Sequence, residues 1–241
     1  MEHYESHTYG DRIASEYDGL YGGLFDVDAT VSTLETLAGR GPALELGVGT
    51  GRVALPLAAR GVEVCGIDAS QAMLDVLASK RGDVDAVLGD FADFDLGRRF
   101  ALVYVVFNTF FALTSQDDQV RCFECVARHL DDGGRFVLEV FVPDVARFDR
   151  HQHVGVDRVT LDEVELEVSR HDPVHQRVSS HRVIVGEHGA RLYPVFVRYA
   201  YPSELDLMAR LAGLTLEHRW GDWRRAPFTS DSAHHVSVYV R

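Results

Sequence analysis

The sequence predicts an α/β fold: a Rossmann-like, seven-stranded, mostly parallel sheet with helices on both faces, and an antiparallel β insertion before the last two strands. Three observations carry this. Short apolar runs alternate with segments of helical spacing up to residue 142, as in successive βαβ units. A glycine-rich segment, Gly47-Val48-Gly49-Thr50-Gly51, stands between the first apolar run and the helix after it. Beyond Pro143 the hydrophobic period changes to two, which marks antiparallel strands with one wet face.

Taken in order, residues 1–40 read as helical and partly amphipathic, with a break near Gly22-Gly23. Strands are expected at 43–46, 62–67, 86–88, 101–107 and 135–141, and helices at 52–60, 71–80 and 116–130. Asp131-Asp132-Gly133-Gly134 reads as a helix stop and turn before the fifth strand. Right-handed crossovers put helices on both faces of such a sheet. The segment 154–198 alternates apolar and polar residues, as in Val164-Glu165-Leu166-Glu167-Val168, with turn signals at Asp172-Pro173 and His188-Gly189. A helix follows at 203–212, with Ser203 as its N-cap and Gly213 as its stop. Closing strands are expected at 215–220 and 236–240.

Composition narrows the function. Apolar residues make up 46% of 241, enough for one continuous core. A net charge of −13 disfavours phosphate backbones and anionic lipid as partners, so neither nucleic acid nor membrane is expected. The chain's single lysine, Lys80, among many arginines reads as the coding bias of a GC-rich genome. The amino terminus lacks a secretory apolar run, and the apolar stretch 101–113 is too short to span a bilayer; the expected location is cytoplasmic. Three cysteines imply no disulfide framework. Cys122, Cys125 and His129 share a helix face, but no second ligand pair has the spacing of a structural zinc site. They read as an apolar helix face, and no metal is expected.

The glycine segment lets a ligand lie against main-chain atoms. It could belong to a nicotinamide dinucleotide site, but that pattern places its third glycine or alanine where Arg52 stands; here Gly51 comes one residue earlier. Asp68 ends the second strand, twenty-one residues after Gly47, where a carboxylate can accept both ribose hydroxyls in either family. Asp90 and Phe91 end the third, and an acid followed by an aromatic suits the edge and face of an adenine ring. Both acids sit where open α/β sheets bind ligands. Glu45 lies within an apolar strand, where an unpaired buried carboxylate costs several kcal/mol, of the order of ~2–7 for a buried polar group.

In sequence, ALELGVGTGR at 43–52, GIDAS at 66–70, GDFADF at 89–94, FALVYVVFNTFFAL at 100–113 and LDDGGRFVLEVF at 130–141 resemble the class I S-adenosylmethionine-dependent methyltransferase motifs. The element YGDRIASEYD at 9–18 resembles the amino-terminal helix of the small-molecule branch. The NTFFAL stretch and the layout are similar to bacterial natural-product N-methyltransferases, both peptide α-amine methylators of the cypemycin type and aminosugar methylators. The resemblance implies S-adenosyl-L-methionine as cofactor. Gly47, Gly49 and Gly51 would line its methionine part and ribose. Glu45 would organise the loop and reach the methionine amine through backbone or water, with Arg52 near the carboxylate. Asp68 would hold the ribose, Ala69 and Met73 flank the adenine, and Asp90 and Phe91 read its edge. Phe107 would offer its carbonyl to the methionine amine, with Asn108 at the mouth of the acceptor site; Tyr9 and Tyr17 would close over the cofactor. Met73, Phe91, Phe107 and Tyr17 also suit plain packing. Val48 stands where family members often carry a cysteine or a small residue.

The resemblance implies one methyltransferase domain, 1–241: a helical lid at 1–40, the cofactor-binding core at 41–142, the insertion at 150–201 as acceptor-site roof or dimer surface, and the closing elements at 202–241. Methyl transfer is an in-line displacement in which the protein mainly aligns the partners. A hydroxyl acceptor needs a base, and an amine must lose a proton; His151, His153 and His234 are the candidates, with His234 and His235 opening the last strand and one of them facing inward. Tyr199, Tyr201, Trp220 and Trp223 could supply an aromatic wall. The expected acceptor is a small molecule, cationic or neutral, methylated on nitrogen; O-methylation and a peptide amino terminus are the variants, and the chain a monomer or homodimer. An NAD(P)-dependent oxidoreductase and a non-catalytic cofactor-binding protein are the competing classes.

Overall fold

The computed structural model describes residues 4–22 and 26–241. Gly23, half of the break expected in the lid, lies outside the described residues. The amino-terminal segment forms α1 (Thr8–Ile13), α2 (Tyr17–Tyr21) and α3 (Val27–Ala38). The core alternates β1 (Ala43–Leu46), α4 (Ala54–Ala59), β2 (Val64–Asp68), α5 (Gln71–Ser79), β3 (Val84–Leu88), β4 (Phe100–Val105), α6 (Gln116–His129) and β5 (Leu130–Phe141). The insertion comprises β6 (Gln152–Val159), β7 (Glu163–Asp172), β8 (Arg177–Gly186) and β9 (Gly189–Arg198). α7 (Pro202–Leu211), β10 (Thr215–Trp220) and β11 (His234–Val240) close the chain.

Seven strands form one sheet in the order β10-β11-β5-β4-β1-β2-β3. β3, β2, β1, β4 and β5 run parallel, and β11 alone runs against them, so that β10, antiparallel to β11, shares the direction of the five. The chain works outward from β1 to β3, then returns to β4 on the other side of β1. Strand order therefore reverses between β1 and β4, and a crevice opens there at the carboxyl ends. All four residues of β1 are buried, as expected of a strand covered on both faces. One face carries Phe110, Phe123, Phe136 and Tyr239 under α6 and α7; the other carries Leu34, Leu57, Leu77 and Tyr104 under α3, α4 and α5. Ser70 and Ser115 cap α5 and α6 by accepting the N–H groups of Met73 and Asp118.

The structure corrects two local expectations. Asp131–Gly134 is not a free turn: β5 starts at Leu130. The segment is a wide bulge, in which Phe100 faces Leu130 but Leu102 already faces Arg135. The N-cap of α7 is Tyr201 rather than Ser203, because Pro202 takes the first helical position, where its missing N–H costs nothing.

The insertion is a separate antiparallel sheet, β6-β7-β8-β9. Ile184 and Tyr193 from its inner face bury with Ile13 and Ala14 of α1's end and with Met73 of α5. The Tyr193 hydroxyl donates to Glu16 at 2.8 Å. At the sheet's other end Val178 and Val197 pack against the aromatic core that includes Phe111. The inner face thus packs on the α1 region at one end and on the segment that follows β4 at the other.

Candidate active site

Three glycines build the turn after β1. Gly47, Gly49 and Gly51 all have positive φ, at +71°, +54° and +80°, which side chains other than hydrogen adopt reluctantly. The Gly47 and Val48 N–H groups donate to the Ile67 carbonyl, tying the turn to β2. The space above Gly49 is clear to 4 Å, so its main chain faces open crevice.

Asp68 ends β2 beside this turn. Its Oδ2 accepts the Gly49 N–H at 2.8 Å and its Oδ1 the Ser70 N–H at 2.9 Å. The Ala69 N–H also points at the carboxylate. Burial raises the Asp68 pKa, and the Ser70 and Gly49 amides offset only part of that. Glu45 is deeper, 3% exposed, and its Oε2 accepts the Tyr104 hydroxyl at 3.0 Å. Burial pushes its pKa up to about 8, against the Tyr104 bond and the Ala54 N–H at the start of α4. Glu45 braces the helix that follows the glycine turn. Asp90 is exposed and accepts the Ala92 N–H at 2.8 Å. Phe91 is buried in the core, with its ring edge near Gly47.

The amino-terminal helices pack beside the glycine turn. Arg52 places its guanidinium carbon 4.7 Å from the Tyr17 ring centroid and 5.2 Å from that of Phe107. Its Nη1 donates to the Tyr21 carbonyl at 3.3 Å. The Tyr9 hydroxyl donates to that of Tyr21 at 2.8 Å. Lys80 reaches across to Asp18 of α2 at 2.6 Å and donates to the Thr50 carbonyl at 2.7 Å, while the Thr50 hydroxyl donates to Asp18. The lone lysine read as coding bias therefore links α2 to the glycine turn. Only its position opposite Asp18 in three dimensions discloses this.

The end of β4 is unusual. Phe107 and Asn108 are consecutive non-glycine residues with φ of +56° and +65°, a conformation costing roughly 1–3 kcal/mol per residue. The Phe107 N–H donates to Glu139 Oε2 at 3.0 Å, the Asn108 N–H to the Glu139 carbonyl at 3.2 Å, and the Phe141 N–H to Asn108 Oδ1 at 2.7 Å. Glu139 has a raised pKa because burial outweighs the Phe107 amide, the Trp223 indole nearby and the charge of His234. The sequence reading passed over Glu139, although it alternates with apolar residues in β5 as Glu45 does in β1.

The histidines divide. His234 is exposed and lies opposite Phe141, at the carboxyl end of β5. His235 is the inward member of that pair, fully buried and bonded to Ser237; burial depresses its pKa to about 3. His151 and His153 stay within the insertion, close to His171 and Phe148 respectively. The expected aromatic wall is not one surface. Tyr199 is buried against His171, Trp220 stacks on His218, and Trp223 is buried in the apolar cluster against which Phe107 and Trp220 also pack. His129 uses both ring nitrogens, on the Cys125 carbonyl and the Leu96 N–H, as a packed core histidine does.

Comparison with known proteins identifies the family. A family described as a methyltransferase domain matches residues 43–134. The cypemycin N-terminal methyltransferase of a Streptomyces species is 33% identical over 221 residues, 88% of each chain. The solved CcbJ methyltransferase from Streptomyces caelestis superposes with a TM-score of 0.92 at 44% identity, covering 98% of both chains. A S-adenosylmethionine-dependent methyltransferase from Clostridium acetobutylicum shares the fold, with a TM-score of 0.79 at 14% identity over 95% of this chain and 97% of its own.

Proposed function

The chain belongs to the class I S-adenosylmethionine-dependent methyltransferases, and from that premise we propose that it methylates a nitrogen of a small-molecule acceptor in natural-product biosynthesis. It is an enzyme, and S-adenosylmethionine is its cofactor. The switch-point residues fit that group. Asp68 is a desolvated carboxylate at a strand end, held in place by main-chain amides, and the clear face of Gly49 lies beside it. When bound, the cofactor supplies a methyl group already activated on a sulfonium.

The chain's own residues then bind and align. In this reading Asp68 holds the ribose hydroxyls, Ala69 and Met73 flank the adenine, and Asp90 meets its edge, with Phe91 packed beneath the glycine turn. Gly47, Gly49, Gly51, Arg52 and the Phe107 carbonyl take the methionine end, and Glu45 supports the loop from below. Tyr9 and Tyr17 close the lid. Residues 1–40 act as lid, 41–142 as binding core, 150–201 as roof and 202–241 as the far wall. Asn108 and His234 stand at the acceptor mouth, and His234 is the base that a protonated amine requires. His151 and His153 instead neighbour the rings of His171 and Phe148, and His234 is preferred to them.

The choice of nitrogen rests on one observation. A desolvated carboxylate, Glu139, lies at the acceptor end beside the Phe107 turn and the Trp223 indole. Carboxylate and aromatic surface together favour a cation over a hydroxyl. The N-terminal methylation named for the 33% identical relative supports the same choice. The test incubates the purified chain with methyl-labelled S-adenosylmethionine and a panel of aminosugars, secondary amines, short peptides and phenols, read by mass spectrometry. Labelled small amines are expected. Label on phenols alone rejects nitrogen; label on peptide amino termini alone rejects the small molecule.

A further inference from the structure

We propose that Glu139 is a positioning residue for the reaction: it holds Phe107 and Asn108 in their left-handed pose and so fixes the end of β4 against the cofactor crevice. Two adjacent non-glycine residues stay left-handed only when their surroundings over-determine them. A phenylalanine in that region is rarer than an asparagine, so Phe107 needs the stronger hold, and it receives the charged acceptor. Its N–H donates to the Glu139 carboxylate at 3.0 Å. The next N–H, of Asn108, donates to the carbonyl of the same glutamate at 3.2 Å. Asn108 returns the bond by accepting the Phe141 N–H at 2.7 Å. One residue of β5 thus takes both amides of the turn, and the turn takes an amide from two residues further along β5.

The position of this clamp matters because of what lies on either side. The Phe107 ring faces the Arg52 guanidinium at 5.2 Å, on the cofactor side. The Trp223 indole lies near the Glu139 carboxylate, on the loop between β10 and β11, with its buried Nε1 making no hydrogen bond among the described residues. Glu139 therefore joins the two halves of the site through the main chain of Phe107. The Phe107 N–H is held by the carboxylate, and the Phe107 carbonyl, in one planar peptide with the Asn108 N–H that donates to the Glu139 carbonyl, points the opposite way from that bond. Nothing in this depends on the identity of the acceptor.

The test compares Glu139→Gln, Glu139→Leu and Asn108→Ala with the wild-type chain. Affinity for S-adenosylhomocysteine is measured by calorimetry, and protection of the 107–109 amides by hydrogen exchange. Gln keeps an oxygen for the Phe107 N–H, so its Kd stays within about threefold of wild type. Leu removes the acceptor and raises the Kd at least tenfold, with the 107–109 amides exchanging faster. Should the Leu variant not fold, Asn108→Ala carries the same test from the other strand, with Kd raised at least fivefold. A folded Leu variant, or Asn108→Ala, with wild-type Kd and protection overturns the proposal, as does Gln weakening as much as Leu. If the wild-type chain itself fails to bind S-adenosylhomocysteine, the cofactor assignment falls, and amide protection alone then decides for or against the clamp.

Discussion

Removing the Asp68 carboxylate leaves three main-chain N–H groups, those of Gly49, Ala69 and Ser70, without the acceptor they share. The Asp68→Asn variant keeps the shape but turns one oxygen into a donor facing an N–H. Hydrogen bonds to charged groups are worth about 1.5–3 kcal/mol, so the Kd for S-adenosylhomocysteine should rise at least ~10-fold while the circular dichroism spectrum is retained. Unchanged affinity in a folded Asp68→Asn chain would remove the ribose role. Asp68 was legible in the sequence because an acid at a strand end beside a glycine turn has few other reasons to be there. Glu139 was not, because nothing in Phe-Val-Leu-Glu-Val-Phe says which face of β5 meets the end of β4. Nor does proximity in sequence to the end of β5 fix where the insertion carries His151 and His153, whose rings neighbour those of His171 and Phe148 respectively.

At the level of elements, the lid is held on by close approach more than by charge. The pair formed by Lys80 and Asp18 is partly exposed, and such pairs are worth only about 0–1 kcal/mol. Gly10 of α1, by contrast, lies so near α5 that a Cβ there would fall 2.5 Å from that of Ser70. Ser70 is the N-cap of α5 and also donates to Asp11 at 2.6 Å, so it cannot step aside without loosening both helices. Gly10→Val is therefore expected to lift α1 from the crevice and leave the sheet intact. Limited proteolysis should cut within residues 4–22 faster than in wild type, with the remainder resistant; equal cleavage rates would show that the lid does not depend on this contact. Helix and strand order was readable from periodicity, and β1 and β10 match to the residue. The bulge at Asp131–Gly134 was not readable, because Asp-Asp-Gly-Gly serves a turn and a bulge equally well and only pairing with β4 decides.

On the scale of the whole molecule, the carboxyl end of the sheet gathers three desolvated carboxylates, Glu45, Asp68 and Glu139, each with its pKa raised chiefly by burial. Strain and desolvation kept at a site lower the stability of the entire fold, because a domain of this kind unfolds cooperatively. Glu45 dominates, since it is wholly buried and shifts to about 8. The sign follows from linkage. Its folded pKa lies above the unfolded value of 4.5, so the folded state holds the proton more tightly. That contribution to stability is complete below pH 4.5 and is lost as pH rises to about 8, with a limiting slope of roughly 1.4 kcal/mol per pH unit. His235 works on the other side: its pKa is depressed from 6.5 to about 3, so its contribution is present above 6.5 and lost as the solution is acidified. Glu45→Gln keeps an acceptor for Tyr104 and removes the titration. The difference in unfolding free energy between this variant and wild type, measured in urea, should therefore shift in the variant's favour by at least ~1 kcal/mol between pH 6 and pH 8.5. His235 is common to both chains and cancels in that difference. Parallel stability curves over the same range would mean that Glu45 titrates normally, and that the base of the glycine turn is wetter than its burial implies.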